Sequence, residues 1–164
     1  MIIGILKEPE YENRVSLLPE AIKWIEKLKS TLIIEKGSGK NAFANDDDYK
    51  AVGVEIEERK NVISKSNILL SINSPSEEDL KVIPEGNVII SVFNPLADKK
   101  TVDFLIKNNI TAFSMDMIPR TSRGQSMDIL SSMATISGYK AVLDAAINLP
   151  NFLPMFMTAA GTIR

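Results

Sequence analysis

The 164-residue sequence contains no cysteine and no histidine. The chain therefore cannot form a disulfide, and the lack of cysteine fits a reducing compartment. Ser-His and Cys-His nucleophilic schemes are excluded within the chain, as are zinc sites built from histidine or cysteine. Any chemistry must use carboxylates, lysine, arginine, hydroxyls, amides or a bound cofactor.

The sequence also lacks an excess of positive charge and a long apolar run. It has 19 basic and 21 acidic residues, for a net charge of −2, so it shows no basic footprint for nucleic acid. No apolar run reaches the roughly 20 residues that a membrane-spanning helix needs. The apolar run at the amino terminus is too short for a signal peptide and has no basic residues before it.

Short apolar runs rich in isoleucine and valine alternate with amphipathic segments. The runs cover residues 2–6, 32–35, 54–56, 68–72, 88–93 and 110–115. They are typical of strands buried on both faces of a parallel sheet. Helices are predicted to begin at Pro19 and to cover residues 46–52, 59–66, 77–82 and the stretch around 102–106. This alternation predicts an α/β fold with a doubly wound, mostly parallel sheet.

The pattern changes near the carboxyl end. Residues 127–148 contain no proline and predict a long helix, with small side chains at Ser137, Ala141 and Ala145. Pro150 and Pro154 end it. The final apolar stretch resembles the approach to another strand, so we expect the sequence to be a truncated piece of a longer protein.

Two polar segments are candidate ligand sites. Residues 7–20, KEPEYENRVSLLPE, follow the first strand and place Lys7 and Arg14 where an anion could bind. Residues 114–132, SMDMIPRTSRGQSMDILSS, lie between the sixth strand and the long helix. We predict that Ser126 caps this helix and that Asp128 lies in its first turn. Two arginines and Gln125 remain, and they would suit a pyrophosphate or a carboxamide. A third segment, EKGSGKNA at 35–42, fails as a phosphate loop because Ile34 and Asn41 replace the glycine and hydroxyl residues required.

These segments resemble one family. Residues 115–146 are similar to the signature of the alpha subunit of proton-translocating NAD(P) transhydrogenase, and residues 7–20 and 157–164 are similar to its first loop and to the segment before its NAD-binding glycine motif. The resemblance implies a flavodoxin-like or Rossmann-like N-terminal domain of the alanine dehydrogenase/transhydrogenase type at 1–126. It further implies a connecting helix at 127–149 and the start of an NAD-binding domain at 150–164.

The resemblance also implies roles for five residues. Arg120 and Ser131 would hold the nicotinamide end of NAD(H), and Asp128 would orient the arginine. Gln125 would reach towards NADP(H) carried by a partner component, and Arg123 would assist from the same loop. Arg120, Gln125 and Asp128 are the catalytic candidates, with no metal. The whole enzyme would be a Re/Si-specific transhydrogenase that couples hydride transfer between NADH and NADP⁺ to proton translocation.

Partners and location follow from the same resemblance. The expected partners are NAD(H), the NADP(H)-binding and membrane components, and a second copy of the full component. The expected location is peripheral, on the cytoplasmic side of a membrane or on the matrix side in a mitochondrion. We expect the 164-residue chain alone to be inactive.

Two alternatives differ in class. An alanine dehydrogenase would share the fold and the NRVSLLP-like loop, and Arg14 matches its substrate-binding arginine. Its lysine and histidine fall at Asn73 and near Asn94–Pro95, which argues against alanine or pyruvate chemistry. A flavodoxin-like regulatory module would need an aspartate ending a central strand, and only Asp116, which leads into the arginine-containing segment, approaches that position.

Overall fold

The computed structural model describes residues 1–151 and 153–163, with only the backbone of Glu26 and Ile163. The chain divides into two compact units, Met1–Met117 and Ile118–Arg164. The boundaries proposed above, 1–126, 127–149 and 150–164, stay predictions about domains of the whole protein.

The first unit is built on a six-stranded parallel sheet. Its strands are β1 (Ile2–Ile5), β2 (Thr31–Glu35), β3 (Glu55–Glu57), β4 (Ile68–Asn73), β5 (Val88–Val92) and β6 (Thr111–Ser114). They lie in the order β3-β2-β1-β4-β5-β6, and every neighbouring pair is parallel. All six strand predictions and the doubly wound fold class are therefore confirmed.

Five helices connect these strands. They are α1 (Pro19–Ile25), α2 (Asp46–Ala51), α3 (Arg59–Lys65), α4 (Glu77–Val82) and α5 (Lys99–Lys107). Local sequence explains where they begin. Asn45 caps α2 and donates its backbone N–H to Asp48 at 2.7 Å, and the Asp98 side chain accepts the Thr101 amide at 3.1 Å. Pro19 opens α1 as predicted.

The core lies on both faces of the sheet because alternate strand residues point to opposite sides. In β2, Ile33 packs in one cluster with Val62 and Leu69, whereas its neighbours Leu32 and Ile34 pack in the other. Burial on both faces accounts for the uninterrupted apolar runs in the sequence.

The order of the strands creates a crevice at the carboxyl edge of the sheet. The chain runs outward from β1 through β2 to β3, and then crosses to β4 on the other side of β1. The connections that leave β1 and β4 therefore diverge, and such a point is where ligands bind in open α/β sheets. The crevice has a volume of about 480 Å³ and is lined by residues that include Lys7, Glu8, Arg59 and Asn73. We call it the switch-point crevice.

The second unit contains a helix and a hairpin. Helix α6 covers Ile129–Asn148, so the predicted long helix is present but begins two residues later than its pattern suggested. Strands β7 (Phe156–Thr158) and β8 (Gly161–Ile163) then form an antiparallel pair. Gly161 has a φ of 122°, which only glycine adopts readily, and allows the tight turn between them. None of the helices in the described ranges has both the length and the apolar composition needed to cross a bilayer.

Candidate functional site

The predicted site residues lie in one folded segment ahead of α6. This segment, residues 119–128, is called the arginine loop below. It makes a tight turn in which the Thr121 amide donates to the Pro119 carbonyl at 2.8 Å and the Gln125 amide donates to the Thr121 carbonyl at 2.9 Å. A short 3-10 helix, Gly124–Met127, follows the turn. Internal hydrogen bonds therefore fix the backbone that carries Arg120 and Gln125.

Gly124 allows the turn to close. A Cβ atom at this position would lie 2.2 Å from the Pro119 carbonyl oxygen, well inside van der Waals contact. The Gly124 amide also donates to the Thr121 hydroxyl at 3.1 Å. Sequence reasoning missed both residues, since neither carries a charge. A glycine between two polar residues close to a proline was the one available signal.

Asp128 is the amino-terminal cap of α6. Its carboxylate accepts the Leu130 amide at 2.9 Å and the Ser131 hydroxyl at 2.6 Å, and the residue is only 8% exposed. The prediction that Ser126 caps the helix is wrong. Ser126 lies within the 3-10 helix and donates its hydroxyl to the Arg123 carbonyl at 3.0 Å. The cap moved because this extra helical turn occupies the residues that would otherwise have begun α6.

The surroundings of Asp128 favour its charged form. The hydrogen bond from Ser131 holds the pKa of Asp128 below its ordinary value, and backbone amides and the positive charge of Arg120 act in the same direction against the effect of burial. Among the described residues, Arg120 makes no direct hydrogen bond to Asp128, so the link between them is the effect of charge. Asp128 thus joins Ser131, the helix start and Arg120 in one electrostatic unit.

We predict a pH dependence from this lowered pKa. The contribution of Asp128 to stability is complete above its unfolded-state pKa, about 3.9, and is lost as the pH falls through the lower folded-state pKa. An Asp128→Asn variant keeps a capping oxygen without this titration. The difference in stability between the two proteins should narrow on acidification, measured as the exchange rates of the Leu130 and Ser131 amides. Equal pH profiles for wild type and variant would contradict the role of the charge.

The other loop side chains are available to a ligand. Arg120, Arg123 and Gln125 are exposed, and within residues 1–151 and 153–163 the structure shows no hydrogen bond from their side chains. Ser131 donates its hydroxyl to Asp128, and its oxygen can still accept a hydrogen bond. Arranged together, these groups supply guanidinium and amide donors with carbonyl and hydroxyl acceptors. A carboxamide needs both kinds of partner.

The first polar segment is arranged differently. Arg14 donates from Nε and Nη2 to the two carboxylate oxygens of Glu12, at 2.8 and 2.6 Å. This contact, the largest cause, raises the pKa of Arg14 above its ordinary value. Asn73 donates its side-chain amide to Glu8 at 3.0 Å, and exposed Asn94 lies in a turn with a φ of 48°. The positions where an alanine dehydrogenase would need a lysine and a histidine thus hold asparagines with local structural roles.

Comparison with known proteins matches this arrangement. The family model described as "Alanine dehydrogenase/PNT, N-terminal domain" matches residues 4–137. The first of the separate polypeptides that make up the NAD(P) transhydrogenase alpha subunit of Rhodospirillum rubrum is 36% identical over 170 residues, which cover 99% of this chain and 44% of that protein. The undivided "NAD(P) transhydrogenase subunit alpha" of Cereibacter sphaeroides is 34% identical over 165 residues, which cover 99% of this chain and 32% of that protein. The chain thus spans less than half the length of these curated relatives.

Solved structures give the same result. A crystal structure of transhydrogenase from Sinorhizobium meliloti aligns with a TM-score of 0.89 and 32% identity, over 99% of this chain and 49% of that chain. An L-alanine dehydrogenase aligns with a TM-score of 0.69 and 22% identity, over 75% of this chain and 34% of that chain, and shares the fold. The resemblance seen in the sequence is confirmed: the chain belongs to the alanine dehydrogenase/PNT N-terminal domain family.

Proposed function

We propose that the chain is the first α/β domain of the NAD(H)-binding component of a proton-translocating transhydrogenase. The observation that carries this proposal is the match to a transhydrogenase alpha subunit over 99% of the chain, which includes the arginine loop. The folded loop with its exposed polar side chains supports it. The complete enzyme would transfer hydride between NADH and NADP⁺, with Re/Si specificity, and couple the transfer to proton translocation.

In this proposal the arginine loop holds the nicotinamide ring. Arg120 and Ser131 bind the nicotinamide end of NAD(H), Arg123 adds positive charge to the same loop, and Asp128 fixes Ser131 and the start of α6. The contacts of Asp128 with the Leu130 amide and the Ser131 hydroxyl support its positioning role. Gln125 lies on the exposed side of the loop and would face NADP(H) on a partner component.

The residues of this loop suit orientation better than proton transfer. Nicotinamide cofactors supply the hydride chemistry themselves, so the protein has to hold two rings close together and exclude other reactions. Orientation of this kind supplies up to roughly 7–11 kcal/mol of barrier lowering. A chain without histidine or cysteine can perform that task with arginine, glutamine and serine.

The proposed partners and location follow from the proposed function. An NADP(H)-binding component and a membrane component would be needed for the complete reaction. We also propose that the complete NAD(H)-binding component forms a homodimer, peripheral to the membrane on its cytoplasmic or matrix side.

The chain itself gives a first test. Because the proposal assigns the glycine-rich pyrophosphate site to residues outside this sequence, we expect the 164-residue chain to bind NADH with a Kd above about 1 mM. Nicotinamide fluorescence during a titration with NADH measures this affinity, and Arg120→Ala serves as the control for non-specific signal. Micromolar binding that depends on Arg120 would contradict the proposed division of the site.

Alanine dehydrogenase is a weaker candidate for this chain. Arg14 is engaged by Glu12 at 2.6 Å, and Asn73 and Asn94 replace the two remaining groups that such an enzyme would use. The structural similarity at 22% identity supports the shared fold alone.

A further inference from the structure

The switch-point crevice contains a buried carboxylate that belongs to the chain itself. Glu8 follows β1, is 7% exposed, and extends to the end of β4. One carboxylate oxygen accepts the Ile72 amide at 2.6 Å, and the other accepts both the Asn73 backbone amide and the Asn73 side-chain amide at 3.0 Å. Three N–H donors therefore converge on one carboxylate, across more than sixty residues of sequence.

The geometry of β4 explains these free donors. The last residue of β1 that pairs with β4 is Ile5, which lies opposite Leu70, while β4 continues to Asn73. The β4–β5 pairing shifts register between Leu70 and Asn73. The consecutive amides of Ile72 and Asn73 thus point to the same oxygen pair, where a regular strand would direct them to opposite sides. Without Glu8 these backbone groups would lack a protein partner at the edge of the crevice.

The other charged groups at the crevice already have partners. Arg59 donates to both oxygens of Asp79, at 2.9 and 2.7 Å, and to Glu35 at 2.7 Å. It also donates to the Lys7 carbonyl at 3.1 Å. The described lining contains the carboxylates of Glu8, Glu10 and Glu35 against the cations of Lys7 and Arg59. A second anion would therefore enter against an unfavourable charge, and removal of Glu8 would balance the two signs.

We propose that the switch-point crevice is a carboxylate-binding site whose ligand is Glu8. In the wild-type protein the site is closed to small monocarboxylates, and its occupant ties the first polar segment to β4. An alanine or pyruvate carboxylate consequently has no free backbone site there. This inference does not depend on the proposed function, because it concerns only contacts within the first unit.

The test is to remove the built-in ligand and supply acetate. Glu8→Ala should lower the melting temperature, and acetate should restore part of it, by roughly 3 °C at about ten times its Kd, relative to chloride at the same ionic strength. The amide resonances of Ile72 and Asn73 should shift with the same saturation. Wild type and Glu10→Ala, which changes an exposed glutamate of the same crevice, should show no such effect with acetate or pyruvate.

Each outcome decides the proposal. Acetate binding to wild type at these amides, or no effect of acetate on folded Glu8→Ala, would overturn it. If Glu8→Ala does not fold in either salt, Glu8→Gln decides, since it keeps one acceptor oxygen and nearly the same volume. In that variant the Ile72 and Asn73 amide protons should move upfield, because a neutral oxygen is a weaker acceptor. Unchanged resonances would show that the carboxylate is not their ligand.

Discussion

Arg120→Ala should weaken NADH binding to the complete NAD(H)-binding component by about 10- to 100-fold. A hydrogen bond from a charged group contributes roughly 1.5–3 kcal/mol, and its loss accounts for a change of that size. Arg120 is exposed and shows no protein hydrogen bond within the described part of the chain, so the loss should affect the ligand more than the fold. Equilibrium titration of nicotinamide fluorescence gives the dissociation constant.

Three matched variants separate the roles within the arginine loop. Arg120→Lys keeps the charge and loses the planar fork, so it should recover only part of the affinity. Arg123→Ala changes the other arginine of the loop and should have a smaller effect than Arg120→Ala. Gln125→Asn should slow hydride transfer by about tenfold while it changes the NADH affinity less, because its task is to orient the second nucleotide. Normal binding and turnover in both Arg120→Ala and Gln125→Asn would remove the role assigned to the loop.

Gly4→Ala should cost about 3 kcal/mol of unfolding free energy, near the upper end for overpacking in a core. Gly4 lies in β1, opposite Ile33 on one side and Leu69 on the other. A Cβ atom there would lie 2.0 Å from the Ser66 hydroxyl oxygen and 2.8 Å from a methyl group of Val62. Helix α3 would have to move away from the sheet. Urea denaturation followed by circular dichroism measures the loss.

A second substitution tests that contact directly. Ser66→Gly removes the nearest obstructing atoms, so the double variant Gly4→Ala/Ser66→Gly should recover about 1 kcal/mol relative to additivity. Gly138→Ala is the opposite control, because nothing lies within 4 Å of a Cβ atom there and the position is inside α6. That change should stabilise the helix by roughly 1 kcal/mol. Strict additivity of the Gly4 and Ser66 changes would contradict the close approach of α3 to β1.

Local sequence patterns predicted the sheet and the long helix well. Runs such as residues 68–72 and 88–93 are buried on both faces, and this burial gives them an apolar pattern that can be read without the partner strands. The hairpin of β7 and β8 was not foreseen, because its turn depends on the conformation of Gly161. The sequence predicted only a single approaching strand.

The candidate site was partly accessible from the sequence. The arginines, Gln125 and Asp128 stand out by their chemistry, and the family resemblance assigns them roles that remain to be tested. The cap at Asp128, by contrast, depends on an intervening 3-10 turn that no periodic pattern reveals. The contact of Glu8 with the amides of Ile72 and Asn73 depends on two distant strands of unequal length. Spacing within one segment could not have predicted it.

The most direct test of the central claim is to locate the nicotinamide ring in the complete NAD(H)-binding component. Intermolecular nuclear Overhauser effects between the ring protons of bound NADH and assigned side chains report contacts within about 5 Å. The account predicts contacts to Arg120 and Ser131. Contacts confined to residues outside the arginine loop, in a complex that binds NADH normally, would contradict it.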